Sequence, residues 1–380
     1  MHRPLLLHPI RVLAVVALAA PLLASADPRY TVTAIAGAGS AAYDLNNLGE
    51  VVGTMATAGT SHAFLYGAGG LADIGGAYGA SSTAFAINDH GQVVGTAYDS
   101  SSYPTSGFLY SGGVLNPIMG TGATSAYGIN NAGTVVGRTD VTTPGGDLQT
   151  HAYTYANGKF VDLGTLPSGD SSRAQAINSA GDVVGSATIS GPLYYPENPF
   201  LYRNGVMTDL GNLDQNGIWS RATSINDHGQ IVGYSGVDYF PGVPQEIYPR
   251  SAFLYQNGNM IDLGGLAPHY SSSASDINNI GQIVGTARIA DFDSHAFLFE
   301  NGAMIDLNVL IDPESGWVIQ DAAAINDLQQ IAATACRGDV CQAVRLDLVP
   351  AVPEPAGYAL LLGGLMLGWG IRRPAGRRPG

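Results

Sequence analysis

Apolar and polar residues alternate in short runs along most of this chain, and the runs return in a fixed order. In one recurrence the small-residue run SAYGIN leads into a turn, then TVVG, then the aromatic alternation HAYTY, then KFVDLG. Alternation with a period of two marks half-buried strands, so each recurrence predicts four short strands. The last two are joined by Asn157-Gly158, the strongest short-range hairpin signal. Asn-Gly returns at Asn204-Gly205, Asn257-Gly258 and Asn301-Gly302, with Gly112-Gly113 in the second copy.

Alignment on the Ile-Asn step gives seven copies, with the asparagine at Asn46, Asn88, Asn130, Asn178, Asn226, Asn278 and Asn326. Their spacings are 42, 42, 48, 48, 52 and 48 residues. Four strands joined by tight turns at such a period read as one propeller blade, and the hairpins argue against a parallel β-helix. The expected fold is therefore all-β: a seven-bladed β-propeller of four-stranded antiparallel blades over residues 27–349, with six or eight blades as the fallback. The last copy, AINDLQQIAAT, lacks the turn glycine and Val-Val-Gly, and it supplies strands only at 323–326, 330–334 and 342–348. The alternating segment YTVTAIAG from Tyr30 is expected to complete that blade and so remove an open sheet edge.

In an up-and-down blade the connections alternate between the two faces. From the Val-Val-Gly glycine to the third-strand aromatic the separation runs from 11 to 20 residues, and from the fourth strand to the next asparagine from 14 to 20. Both variable connections open on one face, which is the expected working face. Its loops carry Tyr98, Tyr103, Tyr194, Tyr195, Tyr239, Phe240, Tyr248 and Arg250, with Asp99, Glu197 and Glu246 nearby. Aromatic rings beside carboxylates suit sugar stacking and hydrogen bonding. The plain alternative is that these rings cover their own loop backbone.

Other constellations read as structural. In AINDHGQVVGTA a calcium loop would need alternating acids and a distal glutamate, which the segment lacks. The residue at its histidine drifts through His90, Ala132, Ala180, His228 and Ile280, so a turn with glycine at positive φ is expected, and no metal. His62 and Asp73, His151 and Asp162, and His295 and Asp306 each lie 11 apart. Three copies of one pair point to a structural hydrogen bond and not to catalysis. Lys159 is the single lysine and is followed by Phe160, which excludes a P-loop. Cys336 and Cys341 are the only cysteines and are expected to pair after export.

The ends carry addresses. Arg3 and Arg11, the apolar run Val12 to Leu23 and Ala24-Ser25-Ala26 form a secretory signal over 1–26. At the far end Pro353-Glu354-Pro355 precedes an apolar run from Tyr358 to Ile371, too short for a stable span, and then Arg372, Arg373, Arg377 and Arg378. Without both ends the formal charge falls to about −20, which argues against nucleic acid or anionic lipid as partners.

Residues 350–380 resemble a PEP-CTERM sorting tail, although Pro374-Ala375-Gly376 splits its arginines. SHAFLY at Ser61 and SHAFLF at Ser294, with HAYTY and SAFLY, resemble the HAF-type extracellular repeat. The tail resemblance implies an exosortase-type sorting enzyme as partner and a Gram-negative cell surface or extracellular matrix as destination. In that setting the expected role is a non-catalytic binding or structural module for exopolysaccharide or surface proteins, without a cofactor. The alternative is a polysaccharide hydrolase or lyase with carboxylates on the variable-loop face.

Overall fold

The computed structural model describes residues 29–76, 81–167, 169–190, 196–213, 219–236, 250–291 and 293–349. The expected signal peptide and the sorting tail lie outside these residues. So do Tyr194, Tyr195, Tyr239, Phe240, Glu246 and Tyr248.

The chain is all-β, built of antiparallel sheets in which consecutive strands pair side by side. In the first copy the order is Ala41–Leu45, Val51–Ala56, Ser61–Gly67 and Gly70–Asp73. The second, third and sixth copies repeat it, and the fourth and fifth are joined into one eight-stranded sheet by a single parallel bridge, Glu197 to Trp219. The last four-stranded sheet takes Val318–Ile325, Ile331–Arg337 and Val340–Leu348 from the seventh copy. These strands are longer than the alternation suggests. Its outer strand is Tyr30–Ala34, antiparallel, with Tyr30 opposite Leu348 and Ala34 opposite Val344.

The first strands of successive copies adjoin one another around a central channel, and Val318–Ile325 adjoins Ala41–Leu45. This is the arrangement of a β-propeller. Each sheet buries its face against the next. Between the first two copies lie Val52, Ala63, Ile74, Ala84, Ile87, Val93 and Phe108.

The recurring residues have physical causes. At Val-Val-Gly a Cβ on Gly53, Gly95, Gly137, Gly185, Gly233 or Gly285 would stand 1.9–2.1 Å from a carbonyl oxygen of the first strand. Glycine alone permits that approach, and the third-strand ring packs over several of these sites, as Phe64 does over Gly53. The seventh copy carries Ala333 instead, and its first strand has a second register shift, between Ile319 and Asp321, beside the carbonyl that a Cβ would meet. At the hairpins Asn157, Asn204, Asn257 and Asn301 have φ of 52–53° and the next glycine is also positive, the geometry of a type I′ turn. Gln329 occupies the missing turn-glycine position at φ 62°. Its Oε1 accepts from Arg29 Nη2 at 3.2 Å and from Gln282 Nε2 at 3.1 Å, which ties the N-terminal segment to the sixth and seventh copies.

The recurring asparagine holds the ring. Asn46 Oδ1 accepts from the amides of Leu48 and Glu50, both at 3.0 Å, which closes its own turn. Its Nδ2 donates to Glu50 Oε2 at 2.7 Å and to the carbonyl of Asn88, in the next copy, at 3.1 Å. The same bond runs from Asn88 to Asn130, Asn178, Asn226, Asn278 and Asn326, and from Asn326 back to Asn46, at 2.9–3.3 Å. Aspartate could not donate here, and glutamine would overreach. A second tie joins third strands to the next copy: Ala63 N donates to Ser82 Oγ at 3.0 Å and Ala152 N to Ser172 Oγ at 2.8 Å. Between the chain ends Ala343 N donates to Ser40 Oγ at 2.9 Å.

Candidate functional site

The channel has two unlike mouths. On the face of the asparagine turns a cavity of about 200 Å³ is lined mainly by residues that recur in every copy, with Ser224 and Asp276 shared with the next cavity along the channel. The opposite mouth, on the variable-loop face, is not symmetric. There the first strand of every one of the seven copies carries a bulge just before the Ile-Asn or Leu-Asn step, for example between Ala42 and Asp44. The bulge brings two successive residues to the channel wall, around a cavity of about 190 Å³.

At the first of these positions copies one to three carry Tyr43, Phe85 and Tyr127, and the others Gln175, Thr223, Ser275 and Ala323. The three rings form an arc, with centroids 5.6 Å apart for Tyr43 and Phe85 and 5.3 Å for Phe85 and Tyr127, tilted at 52° and 66°. Tyr43 is 38 % exposed. Gln175, on the same cavity, has an Oε1 without a hydrogen-bond partner among the described residues.

At the second position Ala86, Gly128, Ala176, Ser224 and Ala324 are small, and copies one and six carry Asp44 and Asp276. Asp44 accepts from the amides of Leu45 and, in the next copy, Ile87, both at 2.8 Å. Asp276 accepts from Ser224 Oγ at 2.6 Å and from Ile325 N at 2.9 Å. Loss of hydration in the narrow channel pushes the Asp44 carboxyl well above the ordinary carboxylate range, and the charge of Asp276 adds to the shift. Burial also raises Asp276, against the pull of Ser224 and backbone amides. Asp321, on the first strand of the seventh copy, is raised by burial too and accepts from Thr286 Oγ1.

Farther out, Glu197 is buried between two arginines. Its Oε1 takes Arg173 Nη2 at 3.0 Å and its Oε2 takes Arg221 Nε at 2.8 Å. Arg173 and Glu197 line a cleft of about 420 Å³ with Arg138, Asp170 and Ser186. Asp170 is turned to Thr188 Oγ1 at 2.9 Å. Arg221 stands opposite Tyr234 in the sheet, and the Arg250 guanidinium lies over the Tyr234 ring, 4.9 Å from its centroid.

Of the expected site residues, Tyr98 is half-buried, and burial with the nearby Tyr127 raises its hydroxyl pKa. Tyr103 is 70 % exposed. Asp99 is occupied with its own loop, accepting from Ser101 N at 2.8 Å and Tyr103 N at 3.0 Å. Among the described residues the constellation lies on the first strands of the copies. Tyr43, Phe85, Tyr127, Asp44, Asp276, Arg173 and Arg221 sit inside the repeat, where the copies differ from one another just before Ile-Asn. That within-repeat variation was the available signal, and a search by loop length misses it.

In the three His-Asp pairs the imidazole Nδ1 meets the carboxylate, at 2.7, 2.9 and 2.6 Å, and His151 reaches both oxygens of Asp162. In the fourth copy Asn198 Nδ2 donates to Asp209 in the same place at 2.9 Å, which marks the contact as architectural. Cys336 and Cys341 form a disulfide across paired strands. Arg337, beside it, stacks on Trp317 at 4.1 Å. Among the described residues no three His, Cys, Asp or Glu side chains are grouped to hold a metal ion.

A family described as a protein of unknown function (DUF3466) matches residues 121–266, less than half of the chain. None of the curated proteins matches. Among solved structures, the β-propeller domain of the Trilobed protease from Pyrococcus furiosus is 10 % identical, with a TM-score of 0.48 over 70 % of this chain and 81 % of that one. Pyrococcus horikoshii acylaminoacyl peptidase is 10 % identical, with a TM-score of 0.49 over 78 % of this chain, which spans 49 % of that one. The polysaccharide lyase Uly1 is 11 % identical, with a TM-score of 0.46 over 83 % of this chain and 91 % of that one.

Proposed function

We propose that this protein is an exported, seven-bladed β-propeller that binds polysaccharide at the channel mouth on its variable-loop face, without catalysis. The seventh blade takes its outer strand from the N-terminus, and the asparagine bonds run once around all seven copies. The proposal extends to the ends: a cleaved signal, and a tail handled by an exosortase-type enzyme at a Gram-negative envelope or in its matrix.

The observation that carries the binding reading is the arc of Tyr43, Phe85 and Tyr127. A repeat protein has no structural need to place aromatic rings on three adjacent copies and polar or small residues on the other four. Tilted, partly exposed rings at a channel mouth offer faces on which sugar rings stack. The test is a glycan array with residues 27–352. We expect retention of a defined set of polysaccharides with no change in their length. Binding of a protein partner alone, with every glycan ignored, would contradict the reading.

One observation favours a hydrolase or lyase as the second reading. Asp44 and Asp276 are non-repeated acids with raised pKa values in the same channel, and glycosidases work with such pairs. Against it, both carboxylates are committed to backbone amides or Ser224. Release of new reducing or unsaturated ends from an array-selected polysaccharide, abolished in Asp276→Asn, would establish the enzyme instead.

A further inference from the structure

Resting on the sugar-binding reading, the geometry points to a subsite for an anionic sugar, one bearing a carboxylate or a sulfate, in the arginine-lined cleft beside the aromatic arc. The chain is strongly acidic, with 30 Asp and Glu against 16 Lys and Arg. Positive charge is therefore scarce, and where it gathers matters. Arg138 and Arg173, from the third and fourth copies, line one cleft, and Arg221 from the fifth bonds its Glu197, with Arg250 over the Tyr234 ring that stands opposite Arg221 in the sheet. Arg173 and Arg221 share one repeat position, where the remaining copies carry Ala41, Thr83, Ser125, Ser273 and Asp321, and no other copy matches Arg138, so the repeat itself does not require them.

Glu197 does not cancel this cluster so much as arrange it. Each of its oxygens takes one arginine nitrogen, and the remaining N–H groups of the two guanidinium forks have no partner among the described residues. Arg138 makes no hydrogen bond or ion pair among the described residues, and it stands opposite Ser125, two residues before Tyr127, in the sheet. Ser186, 1 % exposed on the same cleft, has an unsatisfied hydroxyl. Arginine forks match the two-oxygen geometry of carboxylate and sulfate groups, and prearranged forks lose little freedom on binding. A cleft of about 420 Å³ has room for a single sugar residue carrying such a group. A chain with one residue in the cleft and its neighbours on the rings would use both features together.

The test is calorimetric titration of the purified full-length protein with three probes: tetragalacturonate, a sulfated carrageenan tetrasaccharide and cellotetraose. We expect one anionic probe to bind at least about ten-fold more tightly than cellotetraose, with an affinity that falls as salt rises. Preference for the first or the second identifies the group as carboxylate or sulfate. Arg138→Ala should remove that advantage, Arg138→Lys should restore part of it, and Arg203→Ala, on the opposite face, should leave it intact. If Arg138→Ala does not fold, Arg138→Gln and the salt dependence of the unaltered protein carry the test. Equal binding of cellotetraose, insensitive to salt and to Arg138, would overturn the anionic subsite while leaving sugar binding in place. Absence of binding by all three probes, beside a retained neutral glycan on the array, would overturn the subsite alone. An empty array as well would overturn both.

Discussion

A carboxylate on the wall of a narrow channel gives up hydration, and the two at Asp44 and Asp276 also repel each other. Their raised pKa values fix a sign. Folding favours the protonated form, so the stability they contribute is full at low pH and is lost as pH rises from the ordinary value of 3.8 through the raised folded one. Neutralising Asp276 should remove that loss. In Asp276→Asn the new side-chain amide can still accept from Ile325 N and donate to Ser224 Oγ. We expect this variant to match the unaltered protein near pH 4 and to melt higher at pH 7. Asp44→Asn should behave differently, because both Asp44 oxygens accept from backbone amides and the new NH₂ would face a donor. A loss of about 1–3 kcal/mol is expected there. Thermal melts at the two pH values check both. A lower melting temperature for Asp276→Asn at pH 7 would mean that the ionised carboxylate serves a purpose in the channel.

At the scale of elements the alternation, the Asn-Gly hairpins and the Val-Val-Gly runs were enough to place strands and their order. The unusual features were less legible. The asparagine reads as a turn residue because its turn is local, whereas its bond to the next copy spans 42–52 residues and needs the ring to exist. Likewise the bulge that turns Tyr43 and Asp44 to the channel leaves no mark in a period-two pattern. The glycine of Val-Val-Gly can be tested directly. A methyl group at Gly185 would stand 1.9 Å from the Arg173 carbonyl oxygen and press on the strand that carries the cleft. Gly185→Ala should cost roughly 1–3 kcal/mol, the range for forced overpacking. Urea unfolding measures it, and an unchanged midpoint would mean that the close approach is not required.

At the scale of the whole molecule a repeated scaffold is made unequal. On one face the linked asparagines and turns that hardly vary surround the channel mouth. The other combines an aromatic arc over three copies with an arginine cleft lined by the third and fourth. Repetition supplies stability, since each sheet buries its face on its neighbours and Tyr30–Ala34 covers the last edge. Departures from repetition supply chemistry. Most of the loop residues flagged from sequence lie outside the described residues, and the channel wall comes from the first strands, which a search guided by loop length passes over. The most direct measurement is a crystal structure of the protein with an oligosaccharide chosen from the array. The account predicts sugar rings stacked on Phe85 and Tyr127 at the variable-loop mouth. Sugar bound instead on the asparagine face, with the aromatic arc uncovered, would contradict it.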